Sequence, residues 1–223
     1  MDLSYGETMF VGIEGLDGVG KTTIIPLVVE KLKSSGIIAT IKPEFPTGRL
    51  DVEFRAALNK GLFLAQHLQM PAAAAYLYLL HAEVISVHSI GLANTDVVVA
   101  DRCHITHAIY QGYFTSPNHE SFSALDFLRK LENLLSDLSV PTPDFIILLD
   151  ATVDDVLPRL SEREDREITN EETAILNRFH SYYDEIARAR RGTVIRISST
   201  GTPESVAVRV TEAIARKFSD NEG

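Results

Sequence analysis

The eight residues Gly15-Leu16-Asp17-Gly18-Val19-Gly20-Lys21-Thr22 restrict the possible folds of this chain more than any other stretch. They match G-x-x-x-x-G-K-[ST] at every fixed position. They follow an apolar run, Met9–Glu14 (MFVGIE), and precede Thr22–Lys33, where Ile25, Leu27, Val28, Val29 and Leu32 recur at helical spacing. Strand, glycine-rich turn and helix in that order make an anion site. The glycines let backbone N–H groups turn toward phosphate oxygens, and the helix N-terminus adds the positive end of its dipole. Lys21 is expected to bridge the β- and γ-phosphates of ATP and Thr22 to ligate Mg²⁺. Gly15, Asp17, Gly18, Val19, Gly20 and Thr23 complete the phosphate contacts.

The rest of the chain alternates in the same way. Ile37–Ile41, Asp96–Ala100, Phe145–Asp150 and Thr193–Ile197 read as further strands. Helical stretches are predicted at about Val52–Leu58, Ala72–Leu92, Phe122–Leu138, Val153–Glu162, Glu171–Arg190 and Pro203–Phe218. Pro26 falls in the first two turns of its helix, where a missing N–H costs least, and Gly36 closes that helix. Strands apolar on both faces, alternating with helices, predict an α/β fold: a P-loop three-layer α/β/α sandwich around a five-stranded parallel sheet. The 223 residues suit one domain spanning 1–223. Ligands in such sheets bind at the carboxyl ends of the strands, so the polar residues after each strand are the candidates.

Charge narrows the partners. With 21 basic and 31 acidic residues the net charge is -10, which disfavours nucleic acid or an anionic membrane, so phosphates must be met by local cations. No apolar run approaches the roughly 18 residues of a membrane span. Met1–Met9 carries Asp2 and Glu7 and no lysine or arginine, unlike a targeting segment, and a cytoplasmic location is expected. Cys103, the single cysteine, excludes an internal disulfide and reads as an apolar filler.

The third predicted strand leads into Asp101-Arg102, followed by Cys103-His104-Ile105-Thr106-His107-Ala108-Ile109-Tyr110-Gln111-Gly112. An arginine at a strand's carboxyl end, beside a phosphate loop, offers a planar fork suited to phosphate oxygens. Together, FVGIEGLDGVGKTT and DRCHITHAIYQG make the chain resemble the thymidylate kinase family, whose pattern combines an opening like FIEGLDGxGKTT with a later DRYxxSxxAYQG. PDFIILLD, Asp165-Arg166-Glu167 and Tyr182-Tyr183 extend the resemblance over roughly residues 9–215. It implies that Asp17 reads the 3′-hydroxyl of the acceptor sugar and that Arg102 holds the acceptor phosphate. Asp101 would hold Mg²⁺ through water or orient Arg102, and Tyr110 and Gln111 would lie near the acceptor base. It also implies a homodimer, with the long helix Ala72–Leu92 as a candidate surface. Glu14, one residue before the loop, is a further candidate to orient acceptor or metal.

Arg159, Arg163 and Arg166 lie among acids in and beside LSEREDRE (Leu160–Glu167), ahead of a helix starting near Asn170. A short lid over about residues 159–170 is expected, with Arg159 toward the nucleotide and Arg163 and Arg166 closing over the transferring group. The phosphate loop itself has no arginine, whereas family members with one there need less from the lid. Neutralisation then falls to Lys21, Mg²⁺ and the lid arginines. Closure also excludes water.

Departures from the family pattern gather in the acceptor half. A segment like REPGGT becomes Lys42-Pro43-Glu44-Phe45-Pro46-Thr47-Gly48, with the leading arginine falling on Lys42 or Pro43 according to the gap. Arg55 keeps the place of a downstream arginine that meets the acceptor phosphate. His81 stands where an arginine that stacks on or bonds the base is usual, exchanging permanent charge for one donor and one acceptor at neutral pH. Cys103 replaces an aromatic, and His107 stands where a small polar or amide residue is common. The expectation is an ATP- and Mg²⁺-dependent nucleoside monophosphate kinase acting on nucleotide substrates, most simply dTMP + ATP giving dTDP + ADP. One alternative is a same-fold kinase acting on another pyrimidine (deoxy)nucleotide, a deoxynucleoside or a phosphorylated metabolite. An alcohol acceptor would need Glu14, Asp17 or Asp101 as base. The other is a regulatory nucleotide-binding module, against which a second phosphate site argues.

Overall fold

Every residue of Met9–Glu14 (β1) is buried, as a strand covered on both faces must be. The computed structural model describes residues 8–44, 62–63, 76–77, 79–81, 84 and 95–221. Arg55, the expected helix Val52–Leu58 and most of Ala72–Leu92 lie outside the described residues. Around β1 run Ala39–Lys42 (β2), Val97–Asp101 (β3), Phe145–Asp150 (β4) and Val194–Ser198 (β5), all parallel, in the order β2-β3-β1-β4-β5. Among the described residues, the helices with defined bounds are Lys21–Ser34 (α1), His104–Thr106 (α2), Gly112–Thr115 (α3), Ala124–Asp137 (α4), Val153–Glu164 (α5), Asn170–Ala189 (α6) and Pro203–Asn221 (α7). A π-helical turn, His107–Gln111, joins α2 to α3.

Right-handed crossovers decide the layers. From β1 the chain moves toward β2 through α1, whereas from β3 and then β4 it moves the other way, so the intervening helices fall on opposite faces. Accordingly α1 packs on α7, and α4 packs on α6 and the π turn. The adjacent strands β1 and β3 therefore send their chains to opposite sides, opening a crevice at their carboxyl ends. The five-stranded parallel sheet between helical layers is the one that the alternation predicts.

Element boundaries differ by one to a few residues, for local reasons. β2 starts at Ala39 because the Ile37 N–H still closes α1 on the Leu32 carbonyl and the Ile38 N–H is taken by the Asp96 carboxylate. Helix α4 starts at Ala124 because Ser123 accepts the Asp126 N–H as its cap. Helix α5 continues to Glu164, so Arg159 and Arg163 ride on a helix, and the connection to α6 is only residues 165–169.

Both helices at that connection open with capping boxes, Thr152 with Asp155 and Thr169 with Glu172. Glu172 does more than cap α6, because its carboxylate also receives the Arg166 fork, at 2.8 and 2.5 Å. The Arg166 fork, with the Thr169 bonds, holds the Glu172 carboxyl down to about 2 against the effect of burial. This depressed value means that the contribution to stability is complete above the ordinary value of about 4.5 and is lost as pH falls toward about 2. Replacing Glu172 by Gln should lower the melting temperature at pH 7 by about 3–6 °C, a gap that closes in melts taken down toward pH 2.

Candidate active site

The phosphate loop is shaped by what lies above it. Gly18 has φ +77°, and a Cβ there would lie 2.9 Å from Leu160 Cγ and 3.3 Å from the Val156 carbonyl, so α5 sits directly on the loop. Gly15, at φ +141°, would bring a Cβ within 2.7 Å of the Leu149 carbonyl at the end of β4. Under this cover the buried Lys21 folds back, donating from Nζ to the Gly15 and Leu16 carbonyls at 2.9 Å each. Burial, with the neighbouring Arg102 charge, brings its ammonium down to about 8.

Arg102 closes the opposite wall. It follows β3 in the left-handed region, φ 65°, an uncommon conformation for a residue with a side chain. Its N–H bonds the Ile13 carbonyl at 3.0 Å, which ties the turn to β1. The guanidinium reaches Gly15 O at 3.2 Å, Thr106 Oγ1 at 3.0 Å, the Asp17 carboxylate, and Glu44 Oε1 at 3.3 Å, and it lies 5.3 Å from the Tyr110 ring centroid. Burial works against its charge, but Asp17 and Glu44 outweigh it and its pKa rises. Lys21 and Arg102 thus share one acceptor, the Gly15 carbonyl. Beside them, the Thr22 hydroxyl stands 3.5 Å from Asp101 Oδ2.

Glu14 does something other than orient acceptor or metal. Fully buried, its carboxylate accepts from the Cys103 N–H at 2.9 Å, the Thr106 N–H at 3.0 Å, Thr106 Oγ1 at 2.6 Å and the Tyr183 hydroxyl at 2.9 Å. It is saturated by the turn that carries Arg102, which corrects the expectation of a substrate-facing role and removes it as a base. Thr106 and Tyr183 are site-building residues that sequence reasoning did not assign. The signal for Thr106 was available, since the family pattern has a hydroxyl at that place in DRYxxS.

The π turn aims the next candidates. It buries His107 and Tyr110 and leaves Gln111 half-buried with its Oε1 unpartnered among the described residues. Tyr110 packs beneath Arg102 with its ring 4.4 Å from that of Phe179. Glu44, Asp101, Arg102, Cys103, Thr106, His107 and Gln111 line a narrow cleft of about 10 Å³ at the ends of β2 and β3. Glu44 was not singled out, because its segment matches the family pattern poorly. Cys103 is buried, its Sγ 3.2 Å from Glu14. His81 lies exposed on a helical segment, and Arg55 lies outside the described residues. Of the lid arginines, Arg159 reaches the Gly18 carbonyl at 3.4 Å, Arg163 pairs with Glu164 at 2.8 Å, and Arg166 pairs with Glu172.

Comparison with known proteins agrees with this geometry. The family model described as thymidylate kinase matches residues 13–210. The chain belongs to the thymidylate kinase family. It is 32% identical over 192 residues to a thymidylate kinase of Methylococcus capsulatus, covering 83% of this chain and 84% of the relative. It is 29% identical over 204 residues to one of Blochmanniella floridana (89% and 91%) and 26% over 217 residues to one of Prochlorococcus marinus strain MIT 9312 (95% and 98%). The match to thymidylate kinases takes in both walls of the crevice, the phosphate loop and the Asp101–Gln111 stretch.

A phosphate placed on Lys21 raises its pKa above the free value of about 8, so the complex holds a proton that the separated partners lack. ADP binding at pH 8–9 should therefore take up protons and weaken as pH rises, by up to about tenfold per pH unit. Calorimetry in buffers of different ionisation enthalpy measures this uptake, and its absence would show that Lys21 does not meet the phosphates.

Proposed function

We propose that this chain transfers the γ-phosphoryl group of ATP to dTMP, giving dTDP and ADP, with Mg²⁺ as the required ion. The observation that carries the reading is the Gly15 carbonyl, which accepts from Lys21 of the phosphate loop at 2.9 Å and from Arg102 of the second wall at 3.2 Å. A cation for a donor phosphate and a cation for an acceptor phosphate meet at one atom, as transfer between two phosphates requires. The acceptor phosphate oxygen is already ionised at pH 7 and attacks the γ-phosphorus as the ADP oxygen leaves, so no strong general base is needed. Glu14, already saturated, is poorly suited to activating an alcohol acceptor.

Lys21 and Arg102 would exchange their bonds to Gly15 for phosphate oxygens, and Asp17, released from Arg102, would be available to the acceptor sugar. Gln111 offers an unpartnered carbonyl oxygen to a base with a ring N–H, as thymine has. Thr22 and Asp101 are hard oxygen donors facing one another, which suits Mg²⁺, an ion that keeps several waters and substrate oxygens. Bound there, the ion would neutralise charge on the β- and γ-phosphate oxygens. Arg159 lies against the loop, while Arg163 and Arg166 would leave their carboxylates to cover the transferring group. Kinship with the family supports a homodimer, a single domain and a cytoplasmic setting as parts of the same reading.

A coupled ADP-release assay over a panel of nucleoside monophosphates, with a deoxynucleoside and sugar phosphates added, tests this. The greatest kcat/KM should fall on dTMP, with Mg²⁺ required. Release with another acceptor would overturn the substrate, and no release with any would overturn the kinase. In the same assay Arg163→Ala and Arg166→Ala should each lower kcat by about 10-fold or more while ADP affinity changes by about threefold or less.

A further inference from the structure

Four groups surround the Arg102 guanidinium, three as hydrogen-bond acceptors and Glu44 as an ion pair. Nη1 is taken by Gly15 O and Thr106 Oγ1, Nη2 by Asp17, and Nε by Glu44 Oε1. A phosphate that binds this fork along an occupied edge must displace one of these groups. The Gly15 carbonyl belongs to the loop backbone, and Thr106 is pinned by Glu14 through both its N–H and its hydroxyl. Asp17 is held within the loop, with a side chain 15% exposed. Glu44 differs in place and in hold. It stands beyond the end of β2, past Pro43, its side chain is 35% exposed, and its 3.3 Å contact is longer than the others.

The charges around it point the same way. Asp17, Asp101, Lys21 and Arg102 all act on the Glu44 carboxyl, so the cleft holds three carboxylates against two cations. An acceptor phosphate brings up to two more negative charges. With Glu44 ionised and in place, it meets an arginine already paired and a carboxylate that repels it.

We propose that Glu44 is a specificity-determining carboxylate that occupies the acceptor-phosphate position on Arg102 in the empty enzyme and yields it only to a ligand with further contacts to the cleft. A small anion such as inorganic phosphate has only the fork to gain and is excluded. A nucleotide also has its sugar and base to contribute, which offsets displacement of the carboxylate. The cost of this selectivity is a weaker hold on every acceptor. The inference rests on the reading of Arg102 as the acceptor-phosphate cation.

The test compares the wild-type enzyme with Glu44→Gln, which keeps the shape and removes the charge, and with Glu44→Asp, which keeps the charge. Calorimetric dTMP binding and steady-state KM are measured, with inorganic phosphate as a competitor against dTMP and thermal melts as the check on folding. In Glu44→Gln the Kd and KM for dTMP should fall by about tenfold, and inorganic phosphate should inhibit at about tenfold lower concentration. Glu44→Asp should stay near the wild type in both respects. Unchanged or weaker dTMP and phosphate binding in a folded Glu44→Gln would overturn the proposal and make Glu44 a positioning partner of Arg102 instead. If the wild-type enzyme neither binds nor phosphorylates dTMP, the substrate reading fails separately. Direct titration of inorganic phosphate into both proteins then still decides the role of Glu44: tighter binding to Glu44→Gln upholds it, and equal binding overturns it.

Discussion

A buried carboxylate, Glu14, holds the two walls of this site together. Ionised side chains leave water at a cost of several kcal/mol, and among the described residues no cation pairs with this one. The offset comes from two backbone N–H groups and two hydroxyls drawn from the turn after β3 and from α6. Hydrogen bonds to a charged acceptor contribute about 1.5–3 kcal/mol each, enough to fix a segment that would otherwise be a loop. The consequence passes through Thr106. Its hydroxyl donates to Glu14 and is thereby left to accept from Arg102. The turn that carries the left-handed Arg102, and the Thr106 hydroxyl that receives its fork, are both held by a residue on the neighbouring strand.

That rigidity makes the meeting at Gly15 possible. One carbonyl receives both Lys21 and Arg102, so on the proposed reading the cations that would meet the two phosphates are registered against each other before either ligand arrives. Like charges at this spacing repel, and the fold sets Asp17, Asp101 and Glu44 around them. The two cations are therefore more than balanced, by three carboxylates. Each ligand replaces a set of bonds already satisfied, so net binding is a difference between exchanged partners. Selectivity follows from that difference, because a ligand that offers charge alone gains little.

The sheet, its parallel sense and the phosphate loop could be read from the chain because their signals are local: an apolar run, a glycine pattern, a helical repeat. Arg102, Asp101 and Asp17 could be read because strand ends are where such sheets bind ligands, and the family pattern named the same positions. Glu14 was seen but misjudged. A carboxylate beside a phosphate loop reads as a metal or substrate ligand, and only the fold shows two N–H groups, two hydroxyls and the Cys103 thiol closing on it, with Tyr183 169 residues away. Glu44 was passed over for the opposite reason. Its segment departs from the pattern, and its pairing with Arg102 is a contact between strands that sequence separation hides.

The lid shows how one residue can be read correctly in place and incompletely in state. Arg166 lies in the turn between α5 and α6, as its sequence context suggests, yet its fork is held by Glu172, the same carboxylate that caps α6. To serve a phosphate it must exchange that partner, and Glu172 would then keep its capping bonds with Thr169 alone. Arg163 likewise has Glu164 to leave. Arg159 faces no such exchange with a carboxylate in its present position, because its bond is to the Gly18 carbonyl of the loop. On the proposed reading, lid closure would divide into a contact already in position and two that require ion pairs to open. On the proposed reading, Glu164 and Glu172 hold two of the lid cations in reserve until a phosphate competes for them.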